Sequence, residues 1–299
     1  MAPSNLRILR KLLLEEKRRV GLGGDDLYYI GMANTAGWWW CARKSVLSNR
    51  NTELSHFAAH LDDRVKYSKI LGYINDLTYR RFLSRRRDEV ISALPELTKA
   101  DIEKVMKTIP RSVPATELIP EEVARDIADT MGVSDVADLY AVKNEKAVVV
   151  GAIDGSGPAR EGIRLELTRA ERYPMVRWAF RWRDFMVTGV PDGITDEFVY
   201  EFKTVGNKFL LYFVRPVAFI QADLYGYFFG RPKKRVQIFI RNTGEVKTWI
   251  EPVDAARAEE TLQSLWNAVR RGSPTPMPRE WKCRKCEYKE ECSSKGQPG

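Results

Sequence analysis

A chain of 299 residues with 49 Lys and Arg against 40 Asp and Glu, a net charge of +9, and 12 Phe, 12 Tyr and 8 Trp has the composition of a folded globular protein, not a disordered one. No apolar run approaches the roughly 20 residues of a membrane helix, and the opening MAPSNLRILRKLLLEEKRRVG lacks the unbroken apolar stretch of a secretory signal, so a soluble, cytoplasmic protein is expected. The basic balance suits either a polyanionic partner such as nucleic acid or a solvated surface.

In chain order, residues 4–19 put Leu6, Leu9, Leu12 and Leu13 on one side of an amphipathic helix, which GLGGDD breaks. Residues 51–145 read as mostly helical. Thr98, with Asp101 three places on, caps a helix carrying Ile102, Val105 and Met106 on one face. Pro120 starts another, striped by Val123, Ile127 and Met131 and ended by Gly132. From about residue 146 the pattern changes. AVVVGAI reads as strand and GPAREGIRLELTRAERY as helix, then MVRWAFRW, DFMVTGVPDG and EFVYEFKT as three strands. PVAFIQADLYGYFFG is an apolar helix, VQIFIRN and VKTWIEP a hairpin, and DAARAEETLQSLWNAVRRG a closing helix. The chain thus divides into an N-terminal helix with the first cysteine (1–50), a helical insertion (51–145), an α/β (α+β) core (146–272) and a cysteine-bearing tail (273–299).

The stretch GVPDGITDEFVYEFKT sets Asp192 nine residues before Glu201, with Lys203 two places further on. A strand's period of two sends Glu201 and Lys203 to one face, while Asp192 falls at the end of the preceding strand beside a Pro-Asp-Gly turn. Two carboxylates and an ammonium at one sheet edge suit a hard cation such as Mg²⁺ or Mn²⁺, which activates water for phosphoryl chemistry. The same residue types also fit a plain ion pair on a solvated strand. Phe198, Val199, Tyr200 and Phe202 weigh against that, because so apolar a strand is not freely hydrated.

These residues resemble a known pattern. Pro191-Asp192 followed by Glu201-Phe202-Lys203 is similar to the PD-(D/E)xK nuclease motif in its RecB-like form. Gly162 and Glu166 in GIRLE resemble that family's upstream helical motif, although many relatives carry His where Glu166 stands. Gln221 and Tyr225 in QADLY resemble its Q-x₃-Y helix, and the resemblance covers roughly residues 160–230. It implies a restriction-endonuclease-like core, a mixed central sheet flanked by helices. In that core Glu166, Asp192 and Glu201 would bind Mg²⁺ or Mn²⁺, Lys203 would assist the attacking water, and Gln221 and Tyr225 would position the DNA strand.

Cys41 stands alone, whereas Cys283, Cys286 and Cys292 form C-x₂-C-x₅-C. Such thiolates hold zinc or an iron–sulfur cluster, and disulfides are the lesser use in a large cytoplasmic chain. One cysteine before a RecB-like core and three after it resembles the iron–sulfur RecB-type nucleases, among them the CRISPR-associated RecB-like exonucleases and AddB-type nuclease domains. CARK at 41–44 is similar to the CPRK run around their first ligand, with Ala42 in place of Pro. The resemblance implies a 4Fe-4S cluster on Cys41, Cys283, Cys286 and Cys292 that joins the two chain ends. Spacing leaves 2Fe-2S and zinc open.

Other features are less specific. YRRFLSRRR at 79–87 interleaves Tyr79 and Phe82 with five arginines, which suits a single-strand contact or a solvated helix face equally. Trp38–Trp40 are expected to pack around Cys41, and His56 and His60 share a helical face with no third ligand nearby. No phosphate-binding loop is present, so no ATPase motor is expected. The expected function is a metal-dependent DNA nuclease, an exonuclease on single strands or DNA ends, serving CRISPR spacer acquisition or DNA repair. DNA and CRISPR adaptation proteins would be its partners. The competing class is a catalytically inactive DNA-binding or scaffold subunit stapled by an iron–sulfur or zinc site. Intact Asp192, Glu201 and Lys203 weigh against it.

Overall fold

The structure, a computed structural model, describes residues 11–12, 15, 28–50, 76–93, 95, 97–108, 111–114, 121–131, 140–143, 158–173, 175–284, 286 and 288–294. The expected helix over 4–19, the GLGGDD break, His56, His60 and the strand over 147–153 lie largely or wholly outside these residues. The described elements begin with β1 (Tyr28–Gly31), α1 (Met32–Ala36), a 3₁₀ turn (Gly37–Trp39) and α2 (Ala42–Arg50). There follow α3 (Asp76–Ala93), α4 (Lys99–Thr108), β2 (Arg111–Pro114), α5 (Glu121–Met131), β3 (Tyr140–Lys143) and α6 (Pro158–Arg169). The rest are β4 (Val176–Trp182), β5 (Phe185–Gly189), β6 (Gly193–Ile194), β7 (Phe198–Val205), α7 (Lys208–Phe229), β8 (Lys233–Ile240), β9 (Glu245–Pro252), α8 (Ala255–Arg270), α9 (Glu280–Cys283) and α10 (Lys289–Ser294). The fold is mixed α/β, and among the described residues no helix is long and apolar enough to cross a membrane. The chain forms two compact units, Met1–Tyr29 with Glu53–Asp196 and Ile30–Thr52 with Glu197–Gly299.

In the first unit β2, β3, β4 and β5 pair successively antiparallel, with Ser112 opposite Val142, Tyr140 opposite Arg177 and Phe180 opposite Val187. Phe180, Trp182, Phe185 and Val187 fill the β4–β5 hairpin with buried apolar side chains. The described part of residues 51–145 is mostly helical, as read, but β2 and β3 are two short strands within it that the sequence reading did not single out. Strands of four residues show barely one turn of alternation, and only pairing to each other and to β4 identifies them. The capping box at α4 is present: the Asp101 amide donates to Thr98 Oγ1 (3.2 Å) and the Thr98 amide to Asp101 Oδ2 (2.8 Å).

In the second unit β7 and β8 run parallel and β9 returns antiparallel to β8. α7 lies on this sheet. Val205, Val236, Ile238 and Ile240 pack against Ala218, Phe219 and Ala222 of the helix, with Leu211, Val214 and Trp249 around them. α7 is longer than the apolar run that announces it. It starts at Lys208, where the Asn207 side chain accepts from the Leu210 amide (3.1 Å), and Pro216 falls inside it. Proline there removes one helical N–H and reads as a start signal, but the asparagine cap nine residues earlier outweighs it. The connection between β9 and α8 packs on α7 at Gly226, where a β-carbon would stand 2.2 Å from Val253 Cγ2, so only glycine permits the approach.

A buried ion network joins these elements. Asp223, fully buried on α7, accepts from Lys234 Nζ of β8 (2.5 Å), from the Asp254 amide (2.9 Å) and from Arg257 Nε of α8 (2.7 Å). Lys234 is itself only 2% exposed. Three donors around one buried carboxylate offset its desolvation, and they hold strand and both helices in register.

Candidate active site

The pleat of β7 places Val199, Glu201, Lys203 and Val205 on one face, and contacts show that this face meets α7. Glu201 is fully buried there. One of its oxygens accepts from Gln221 Nε2 (3.2 Å), and the other is ion-paired with Lys203 Nζ. Gln221 Nε2 also donates to the Tyr225 hydroxyl (3.0 Å), one helical turn along α7. The amide thus directs one proton to the carboxylate and the other to the phenol, which fixes the amide's orientation. Lys203 differs from the buried Val199, Glu201 and Val205 of this face in being 32% exposed, and it lines a cleft of about 770 Å³. The arrangement is a buried carboxylate held from behind by Gln221 and approached by an ammonium that also reaches solvent.

Four of the residues read from the sequence, Glu201, Lys203, Gln221 and Tyr225, therefore meet in the second unit. Glu166 on α6 and Asp192 between β5 and β6 belong to the first unit, and each is half-buried. The Pro-Asp-Gly turn has a steric reason: a β-carbon on Gly193 would stand 2.4 Å from Tyr173 Cβ. Of the arginine-rich stretch, Arg86 turns inward rather than outward. It bonds Glu89 Oε2 (2.6 Å), Glu15 Oε2 (2.8 Å) and the Leu12 carbonyl (2.9 Å), as a helix-packing residue does.

All four cysteines are free thiols in the second unit, each partly buried. Burial pushes the Cys283 thiol above its ordinary range, and the nearby thiols of Cys41, Cys286 and Cys292 push it further, so the four share one neighbourhood. Among the described residues no set of three or more His, Cys, Asp or Glu side chains stands ready at metal-binding distances. The residues adjoining the first and second cysteines are tied directly across 242 positions: Lys282 Nζ donates to the Trp40 carbonyl (2.7 Å) and lies 4.4 Å above the Trp40 ring. Trp40 and Trp281 meet edge to face at 5.4 Å, and Phe213 of α7 touches both at 5.7 Å. Trp40 thus packs as expected, but Trp39 is 44% exposed, because the 3₁₀ turn sends successive tryptophans in different directions.

Sequence reading missed the Asp223 network and the aromatic cleft. Asp223 lies in QADLY between the two motif residues, and no spacing rule links it to Lys234 or Arg257. No family model, no curated protein and no solved structure matches the chain.

Proposed function

We propose that the chain is a divalent-metal-dependent DNA nuclease with a RecB-like PD-(D/E)xK site, acting on single strands or DNA ends. One observation carries this reading. The carboxylate of Glu201 is buried and held between Lys203 and the Gln221–Tyr225 pair, the residues that the motif resemblance singles out. The structural carboxylate Asp223 has a fully enclosed lysine, Lys234, and the Asp254 amide beside its part-exposed Arg257. Glu201 instead shares a cation with a cleft.

Asp192 and Glu166 enter the proposal from the sequence resemblance, as further ligands of Mg²⁺ or Mn²⁺ alongside Glu201. Such an ion would lower the pKa of a water and offset charge building on the phosphate. Gln221 keeps one oxygen of Glu201 fixed, and Tyr225 keeps Gln221 fixed. Lys203 neutralises Glu201 without metal and, from its cleft side, orients the attacking water and takes part in its deprotonation. The chemistry of the four thiols fits a 4Fe-4S cluster in kind and number, and Cys41, Cys283, Cys286 and Cys292 would hold it. Binding would draw the thiols inward and reinforce the join that Lys282 and Trp40 already make, contributing to folding more than to cleavage. A place in CRISPR spacer acquisition or DNA repair, with CRISPR adaptation proteins as partners, is proposed from the same resemblance.

The test is cleavage of end-labelled single- and double-stranded DNA by anaerobically purified protein with Mg²⁺, Mn²⁺ or chelator, against Asp192→Ala. Metal-dependent cutting lost in the variant supports the reading, and the product ladder reports which end is attacked. Folded wild type that binds DNA without cutting it returns the chain to the scaffold class. Iron, sulfide and zinc analysis of the same preparation decides the thiol-bound group.

A further inference from the structure

The cleft that Lys203 lines has walls of two kinds. Trp40, Phe209, Phe213 and Trp281 form a chain of rings, with Phe209–Phe213 at 5.4 Å and Phe213–Trp281 at 5.7 Å. Two of these rings are open to solvent, Phe209 at 71% and Trp281 at 44% exposed, against the burial expected of large aromatics. Lys44, Lys203 and Arg241 supply positive charge around the same cleft. Its volume, about 770 Å³, is within the range of pockets that enclose a small ligand, roughly 300–1,000 Å³.

We infer that this cleft is a stacking subsite for unpaired bases of single-stranded DNA, which binds the nucleotides next to the phosphate presented to Lys203 and Glu201. Ring faces bind any base without regard to sequence, and cations beside them bind the intervening phosphates. Bases in a duplex already stack on one another, so a duplex cannot fill the cleft without opening. The subsite thereby selects single strands or frayed ends. The join between the N-terminal tryptophan and the C-terminal segment acquires a second role: it builds the wall on which bases rest. This inference rests on the nuclease reading for the identity of its ligand.

The experiment measures tryptophan fluorescence and affinity of the full-length protein without divalent metal, so that no strand is cut. The probes are an oligothymidylate of about eight nucleotides, an abasic strand of equal length, and a duplex. The thymidylate is expected to quench tryptophan emission and to bind about tenfold more tightly than the abasic strand. Phe209→Ala and Trp281→Ala are each expected to lose about tenfold on thymidylate and to leave abasic binding within about twofold. Phe209 is mostly solvent-exposed, so its loss leaves the unfolding midpoint in place and keeps the test independent of folding. Equal affinity for thymidylate and abasic strands, or no loss in Phe209→Ala, overturns the subsite. Cleavage assays on the same samples separate the two readings. Stacking without metal-dependent cleavage removes the nuclease reading alone, and cleavage with no effect of base removal or Phe209→Ala removes the subsite alone.

Discussion

Two fully buried carboxylates lie in the second unit, Glu201 on β7 and Asp223 on α7, and their surroundings differ. Asp223 is ringed by a buried lysine, a half-buried arginine and a backbone amide, all provided by elements that the network locks together. Glu201 has a glutamine behind it and a lysine that is one-third exposed in front. Burial alone therefore does not mark a reactive group. What separates the two is that Asp223 has a fully enclosed lysine and a backbone amide besides its part-exposed arginine, whereas the lysine paired with Glu201 lines a cleft.

The comparison can be broken most forcefully at Asp223. Asp223→Ala leaves Lys234 buried with no carboxylate, and such a loss costs about 3–5 kcal/mol. Urea unfolding should show a large fall in midpoint, and an unchanged midpoint would deny the network its structural role. Glu201→Gln should do the reverse. The amide keeps the shape and Lys203 can turn to water, so the midpoint moves little, while the DNA cleavage proposed above should fall about a thousandfold, or about 4 kcal/mol of barrier. Gln221→Ala sharpens the contrast further. It strips a buried donor from Glu201 and should lower stability by about 1–3 kcal/mol, visible in the same unfolding assay.

The smallest effect is expected at a surface pair. Lys247 first, then Lys208, hold the Glu245 carboxyl below its ordinary 4.5. A lowered folded pKa means that this stabilisation is present above about pH 4.5 and is lost as pH falls through the folded value. Glu245→Gln should therefore shift the thermal midpoint slightly at neutral pH, and less in high salt. In acid the two proteins should coincide, whereas a gap that persists there would mean that Glu245 acts through packing.

Much of this was legible along the chain. The alternation in EFVYEFKT, the apolar run ending in YGYFFG, the VQIFIRN–VKTWIEP hairpin and the Thr98–Asp101 capping box are local signals, and each element is present. β2 and β3 were not legible, since RSVP and YAVK are too short to show a period. Nor was the start of α7, because Pro216 mimics a helix start that the cap at Asn207 overrides.

The sequence by itself determined that Glu201 and Lys203 share a face and that Gln221 and Tyr225 lie one helical turn apart, because backbone periods of 2.0 and 3.6 residues require it. Only the tertiary structure decided that Gln221 reaches Glu201, that Asp223 is enclosed by Lys234 and Arg257, and that Trp40 meets Trp281 beside Lys203. Those contacts join residues 11 to 241 positions apart, and at such separations packing, not local backbone preference, selects the neighbour.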